Sequence, residues 1–399
     1  MSLSRRLLVS GAAVVAACDA YLLVLLAAAA RRRAAPPPPA PPVSFTVLVP
    51  AHDEERTLPT LLRSLDRAEG REAVRVVVIA DNCGDQTAEV ARRHGAEVLA
   101  RREPERPGKG PALAWALREL GPLDAPVVMV DADCEVSQNL FAALAAHAQA
   151  GARVAQVEYV VANPEESPAA ALRAAAFLLV NRVRPAGRGA LGLSAGLLGT
   201  GMMFTPDVLR RVPWSDFGLA EDAEYGLHLA AAGERVVFVD EARVSSPMPV
   251  TAAVARSQEM RWEADKIAAA RTWTPRLLAD AARRRDPRLV ATAFEALIPP
   301  QAILALTHVL LAALAALVRV PGALRVALAG AGAQAAYVVG GLLLVRAPRQ
   351  MWLALLHAPR LIVGKAALAA RIALGGSPTD WVRTERPDPV RPTPQPEPR

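Results

Sequence analysis

The chain is poor in aromatic residues, in cysteine and in histidine. Phe, Trp and Tyr make up 4% of its 399 residues, which leaves little material for base-stacking platforms. No basic-aromatic interleaving and no zinc-finger spacing accompany the net charge of +7, so no nucleic-acid partner is expected. Cys18, Cys83 and Cys134 show neither metal-ligand spacing nor the density of a disulfide scaffold, which fits a reducing compartment. Cys83 and Cys134 lie near acidic motifs and read as small fillers. His52, His94 and His228 have no ligand spacing and read as structural. No G-x-G-x-x-G follows the first strand, which sets aside a dinucleotide oxidoreductase. No internal repeat is found.

Arginine and apolar runs are abundant, and the basic residues cluster beside those runs as on the cytosolic side of a membrane protein. Leu7 to Ala30 is almost unbroken apolar sequence between Arg5-Arg6 and Arg31-Arg32-Arg33. A span needs about 20 such residues. The run is too long for the core of a signal peptide, and three arginines follow at once as in a stop-transfer signal. Asp19 inside it predicts a contact to another membrane helix. Ala34 to Pro42 contains only alanine and proline and reads as a stiff spacer. Ala296 to Val318 and Val326 to Val345 are two more apolar runs, joined by a tight turn at Arg319-Val320-Pro321-Gly322. From Arg349 to Leu374, Arg349, Arg360 and Arg371 recur every 11 residues. That period keeps them on one helical face and predicts a helix lying in the membrane interface, kinked at Pro359. Asp388 to Arg399 is proline-rich, charged and expected to be disordered.

Between the apolar ends the pattern alternates. Strands are predicted over 44–50, 74–80, 97–100, 127–130, 154–161 and 236–239. Helices are predicted around Leu58, Leu61, Leu62 and Leu65, and over 87–94, 109–120, 169–183, 220–232 and 250–270. Such alternation means an α/β domain with a mostly parallel sheet covered on both faces. Its ligand site belongs at the carboxyl ends of the strands. Polar motifs stand at those ends: Pro50-Ala51-His52-Asp53-Glu54-Glu55, Asp81-Asn82-Cys83-Gly84-Asp85, and Asp131-Ala132-Asp133 after Val127-Val128-Met129-Val130. Two carboxylates two apart, leaving a buried strand, suit a hard divalent cation on phosphate oxygens. As an isolated motif D-x-D is more often a solvated turn; its company lowers that reading. Gly199-Thr200-Gly201 stands before an apolar run, as where backbone approaches a ligand closely. Glu221-Asp222 could be an ordinary acidic first turn of a helix. Gln258, Arg261, Trp262 and Asp265 share one helical face, too polar for simple core. Read as structure alone, Asp81 would cap a helix, Lys109 would be a solvated lysine, and Arg261 with Trp262 a surface cation–π pair.

Taken in order, these motifs, with Pro107-Gly108-Lys109-Gly110 and Gln258-x-x-Arg261-Trp262, resemble the membrane-bound family 2 glycosyltransferases. These are GT-A enzymes that include cellulose, hyaluronan, chitin and poly-N-acetylglucosamine synthases and ceramide glucosyltransferases. The resemblance covers Val43 to about Trp273. It implies a GT-A, Rossmann-like catalytic domain and a UDP-sugar donor lying across the strand ends. Asp81 matches the acid that reads base and ribose, with Asp53 and Glu54 beside it and Lys109 facing the diphosphate. Asp133, with Asp131 beside it, matches the acids that hold Mg2+ or Mn2+. Asp222, with Glu221, matches the general base; the family's threonine is Ala220 here, which puts fine positioning in doubt. Arg261 would stabilise the diphosphate. Gly199, Thr200, Gly201, Gln258 and Trp262 would meet the acceptor. An ending like the family's W-x-x-T, Trp381-Val382-Arg383-Thr384, would contact the mouth of the site.

The expected organisation is a membrane anchor (1–33), a linker (34–42), a cytosolic catalytic domain (43–288) and two membrane helices (289–346). An interfacial helix (347–375) and a tail (376–399) follow. The implied activity is inverting transfer from a UDP-sugar with β-linkage, at the cell membrane in a multi-pass protein. The first acceptor is a polysaccharide or saccharide, and a membrane lipid is the alternative. Few spans argue against a private polymer channel unless the enzyme forms a homo-oligomer or works with an export partner. A non-catalytic sugar-nucleotide-binding or scaffold protein ranks lower, because the acids are intact.

Overall fold

Phe45 to Ala51 and Val74 to Asp81 are apolar runs with scarcely a polar break, and such runs form strands buried on both faces. The computed structural model describes residues 3–32, 38, 41, 43–215, 221–248, 252–359 and 362–364; for 3, 4, 7 and 252–265 it defines the backbone alone. Eight strands form one sheet: β1 (Phe45–Ala51), β2 (Val74–Asp81), β3 (Glu97–Arg101), β4 (Val127–Met129), β5 (Glu135–Val136), β6 (Val154–Val161), β7 (Met202–Phe204) and β8 (Val236–Ser246). Their order is β3-β2-β1-β4-β7-β6-β8-β5. β3, β2, β1 and β4 are mutually parallel, as are β6 and β8. Alternate residues of β1 enter opposite cores. Val47 and Val49 meet Leu58, Leu61, Leu62 and Leu65 of the helix Leu58–Asp66, and Leu48 joins Leu113 of the helix Lys109–Leu120. Each of those four buried leucines contributes roughly 1.5–3 kcal/mol to holding the helix on the sheet.

The mostly parallel α/β architecture is the one expected, with differences in detail. β7 runs antiparallel between β4 and β6. The sequence there shows only a short apolar run, and three residues carry no directional signal. β8 runs on to Ser246 rather than stopping at Val239, because the register shifts after Val157 and Asp240-Glu241-Ala242 are taken up in the irregularity. The apolar stretch Ala296 to Val318 is two helices, Pro287–Leu297 and Gln301–Leu317, at 76° to one another. Pro299 and Pro300 stand at the break, where neither can donate a backbone hydrogen bond. The helix predicted over 250–270 extends from Ala252 to Arg284.

Two described helices are long and apolar enough to cross a bilayer, Leu8–Arg31 and Pro321–Leu344, and the bent pair makes a third candidate if taken as one span. Asp19 meets the expected helix partner: its Oδ2 lies 2.6 Å from Nε2 of His308, and both side chains are buried. The α/β domain is docked directly on these helices. Helical structure runs through Pro168–Leu178, a wider turn at Leu179–Val183, and Arg184–Ala190, past the predicted end at 183. Within it, the Leu179 carbonyl accepts from the Tyr337 hydroxyl at 3.0 Å, and Arg188 donates to the Tyr21 hydroxyl at 2.5 Å. Gly187 faces the first helix so closely that a Cβ would sit 2.2 Å from the Leu25 carbonyl oxygen. The helix Arg349–Ala354 and a tighter turn at Leu355–His357 precede Pro359. Arg360, Lys365, Arg371 and Trp381 to Thr384 lie outside the described residues, as does Ala220.

Gly187→Ala is therefore expected to cost roughly 1–3 kcal/mol, because a backbone carbonyl cannot step aside as a side chain can. The measurement is the melting temperature of the purified chain in detergent. An unchanged value would mean that the domain does not rest on the first helix at this point.

Candidate functional site

The loops after β1 and β2 are laced together by carboxylates. Asp53 has a left-handed backbone, φ 53°, which Asp tolerates better than most residues. Its Oδ1 accepts from the backbone N–H of Gly84 at 2.7 Å and of Asp85 at 3.3 Å. The Glu54 N–H donates to Thr87 Oγ1 at 2.7 Å, and its buried carboxylate accepts from the Thr57 hydroxyl. Asp53 and Glu54 thus shape the rim at the ends of β1 and β2.

Asp81, the last residue of β2, is buried and ion-paired to Arg101 at 2.6 Å. Its carboxylate also accepts from Asn82 Nδ2 at 3.0 Å and from the Gly108 N–H at 3.4 Å. Arg101, not singled out in the sequence, is the β3 residue in register with Asp81. It also bonds Glu103 at 2.8 Å and the Arg106 carbonyl at 2.7 Å. Asp81 is therefore tied to the loop that leads to Lys109. The only sequence signal for Arg101 was a basic residue at a strand end.

Lys109 is where the motifs converge. Its Nζ lies 2.6 Å from Asp131 Oδ1 and 3.3 Å from Glu221 Oε1, and it donates to the Gly199 carbonyl at 2.6 Å. Burial works against the ammonium, but the charges of Asp131 and Glu221 outweigh it and hold the lysine protonated well above its usual range. A Cβ at Gly199, φ +90°, would stand 3.5 Å from Asp222 Oδ2 and 3.8 Å from Lys109 Nζ, so this glycine lies close to both the base candidate and the cation. Thr200 is fully buried; its hydroxyl accepts from the Asp131 N–H at 3.1 Å. Gln156 fastens the same loop from β6, donating to the Thr200 carbonyl at 2.7 Å and accepting from the Leu198 N–H at 2.8 Å. Sequence reasoning missed Gln156, a polar residue inside an apolar strand. Gly201, φ +67°, passes so close to β6 that a Cβ would sit 2.3 Å from Val157 Cγ2.

The structure therefore brings Lys109, Asp131, Gly199, Glu221 and Asp222 into one cluster, with Thr200 and Asp133 at its edge. Asp53 and Glu54 stand apart from it as rim residues. Gln258, Arg261 and Trp262 fall where only the backbone, a helix, is defined. Asp131, Asp133 and Cys134 offer ligand atoms within 4.8 Å of one another. The two carboxylates form a hard-oxygen set suited to Mg2+ or Mn2+. The thiol is soft, bonded to Thr200, and kept protonated by burial and by Asp133 and Asp131. Tyr159 walls the site on the side of β6: its hydroxyl bonds Ser246 Oγ at 2.6 Å, and burial, with the charges of Asp133 and Asp131, keeps it protonated.

Glu221 is buried in the first turn of the helix Glu221–Ala231, and burial pushes its pKa up to about 7 although Lys109 pulls it down. The folded value lies above the unfolded one. The group's contribution to stability is thus complete below the ordinary glutamate range and is lost as pH rises through about 7. Glu221→Gln is expected to flatten the fall in melting temperature of the metal-free protein between about pH 5 and about pH 8. An identical fall in both proteins would place that ionisation on another group.

The sequence profile of the family described as "Glycosyltransferase like family 2" matches residues 41–264. Among curated proteins, the chain is 46% identical over 55 residues to 4,4'-diaponeurosporenoate glycosyltransferase of Staphylococcus haemolyticus, 14% of each chain. It is 36% identical over 108 residues to an uncharacterised glycosyltransferase of Mycobacterium tuberculosis, 27% of this chain and 44% of that protein. It thus spans less than half the length of these curated relatives. Among solved structures, the mannosyltransferase PcManGT from Pyrobaculum calidifontis, in complex with GDP-Man and Mn2+, aligns with a TM-score of 0.49 and 21% identity, covering 84% of this chain and 98% of that one. Glucosyl-3-phosphoglycerate synthase from Mycobacterium tuberculosis aligns with a TM-score of 0.42 and 19% identity over 57% of this chain and 78% of that one. Because the family profile takes in more than half of the chain and runs through every strand of the sheet that carries the acidic cluster, this protein belongs to the family 2 glycosyltransferases and has their GT-A catalytic fold.

Proposed function

We propose that the chain moves a sugar from a UDP-sugar onto a hydroxyl of a membrane-borne acceptor, by a single displacement that turns an α-linked donor into a β-linked product. The observation that carries this reading is the lysine-centred cluster: Asp131 and Glu221 on one ammonium, with Asp222 close by against Gly199. Asp222 serves as the base for the acceptor hydroxyl, and its position beside a glycine leaves the approach open. Lys109 offsets the repulsion among the three acids and presents positive charge towards a diphosphate. Asp131 and Asp133 would hold Mg2+ or Mn2+, which when bound neutralises charge on the departing nucleoside diphosphate. Asp81, fixed by Arg101, borders the base and ribose. Arg261 and Trp262 are assigned to the diphosphate and the acceptor.

For the acceptor, the geometry favours the membrane lipid. Tyr159, beside the D-x-D carboxylates, stacks edge-on against Phe177 at 5.6 Å. Phe177 belongs to a cluster shared with Leu342 of the helix Pro321–Leu344 and with Met351 and Trp352. The wall of the site is thus continuous with the candidate membrane helices, and a lipid hydroxyl reaches it without leaving the interface. The catalytic domain faces the cytosol in this reading, where UDP-sugars are. A polysaccharide acceptor would need a channel built by further copies or an export partner. A non-catalytic binding role gives no reason for Asp222 to stand beside the cluster.

Asp133→Asn is expected to abolish the Mn2+-dependent part of UDP-sugar binding. Asp222→Asn should keep donor binding and lose at least about a hundredfold in turnover, the scale of a lost general base. UDP release and equilibrium donor binding, measured on membranes supplied with lipid extract or with soluble oligosaccharide, separate the two. Near wild-type turnover by Asp222→Asn would remove it as the base, and a strict preference for soluble oligosaccharide would remove the lipid reading.

A further inference from the structure

A second cleft, of about 730 Å³, lies between the end of the first apolar helix and the β8 edge of the catalytic domain. Val24 and Ala28 line it from the helix, Leu191 from the loop after Ala190, and Arg31, Arg32 and Arg235 give it its charge. Val24 is 53% and Leu191 48% exposed, so apolar surface is open here. The three arginines are not equivalent. Arg32 is spent on Asp240 at 2.7 Å, and the nearby Glu241 is met by His147 at 3.4 Å. Arg31 and Arg235 are exposed and have no ion-pair or hydrogen-bond partner among the described residues. The cleft therefore combines an aliphatic wall with two uncommitted guanidinium groups.

Its position selects the occupant. The apolar wall is the last turns of the helix Leu8–Arg31, one of the candidate spans, and Arg31 ends it. A bilayer whose hydrocarbon matches that helix puts its headgroups at Arg31 and Arg32. We propose that this cleft binds one anionic phospholipid of the surrounding leaflet, its phosphate between Arg31 and Arg235 and the start of its acyl chains along Val24, Ala28 and Leu191. Guanidinium forks match phosphate oxygens, and the aliphatic wall matches the chain below them. The lipid so held fills the junction between anchor and domain, at the start of β8 (Val236 to Phe238). The site does not depend on which sugar or acceptor the enzyme uses.

The test is lipid retention, not transfer. The full chain is equilibrated with equal amounts of phosphatidylglycerol and phosphatidylcholine in detergent, and bound lipid is counted by native mass spectrometry. The wild-type chain should retain phosphatidylglycerol preferentially, at one molecule per chain. Arg31→Gln with Arg235→Gln should lower that retention by about tenfold or more, the order expected for two lost basic contacts to an anionic headgroup. Arg92→Gln with Arg93→Gln, which removes the same charge beside β3, should leave retention unchanged. Ala28→Trp, which fills the cleft without touching the charge, should also lower it. Equal retention of the two lipids by the wild-type chain, or an equal loss from both arginine pairs, would overturn the proposal.

Discussion

One ammonium group among carboxylates organises the catalytic half of this chain. Lys109 stands at the start of a helix, Asp131 at the end of β4, Glu221 at the start of another helix, and the Gly199 carbonyl in the loop before β7. Without the cation, the carboxylates gathered around it at low dielectric would repel one another. With it they are held together in one cluster. Several unusual features of the surroundings serve this arrangement. The buried amide of Gln156 fixes the loop that supplies the carbonyl, Thr200 bonds the backbone of Asp131, and the left-handed glycines bring that loop within reach.

The second constraint is the contact between the domain and the candidate membrane helices. It is made by close backbone approach and by polar links that few other residue types could provide. Gly187 lies against Leu25, the Tyr337 hydroxyl reaches the Leu179 carbonyl, and Arg184 and Arg188 share Glu295 at 3.4 Å each. The same continuous helical segment carries Phe177, which packs edge-on against Tyr159. How the acids lie relative to the candidate membrane helices is thus set by the packing of the helical segment 168–190, and the acceptor reading rests on that packing.

Much of the site was legible because its residues sit at positions with a physical signature. A carboxylate at the end of a buried strand, a glycine before a short apolar run and an acid in the first turn of a helix can each be recognised from spacing alone. Arg101 and Gln156 were not legible. Each is a single polar residue whose partner lies 20 or more positions away, and its role depends on strand register. The bend at Pro299-Pro300 was present in the sequence, but the apolar run around it masked the lost hydrogen bonds that break the helix.

The sequence by itself determined the alternation of strands and helices, the apolar helices at either end, and which acids stand at strand and helix ends. These follow from local periodicity and composition, which act over a few residues. Only the tertiary structure decided that β7 is reversed, that Lys109 joins Asp131 to Glu221, and that Asp81 is neutralised by Arg101. The reason is the same in each case: a short strand has no preferred direction, and a side chain no fixed partner, until distant segments are brought into register and water is excluded from between them.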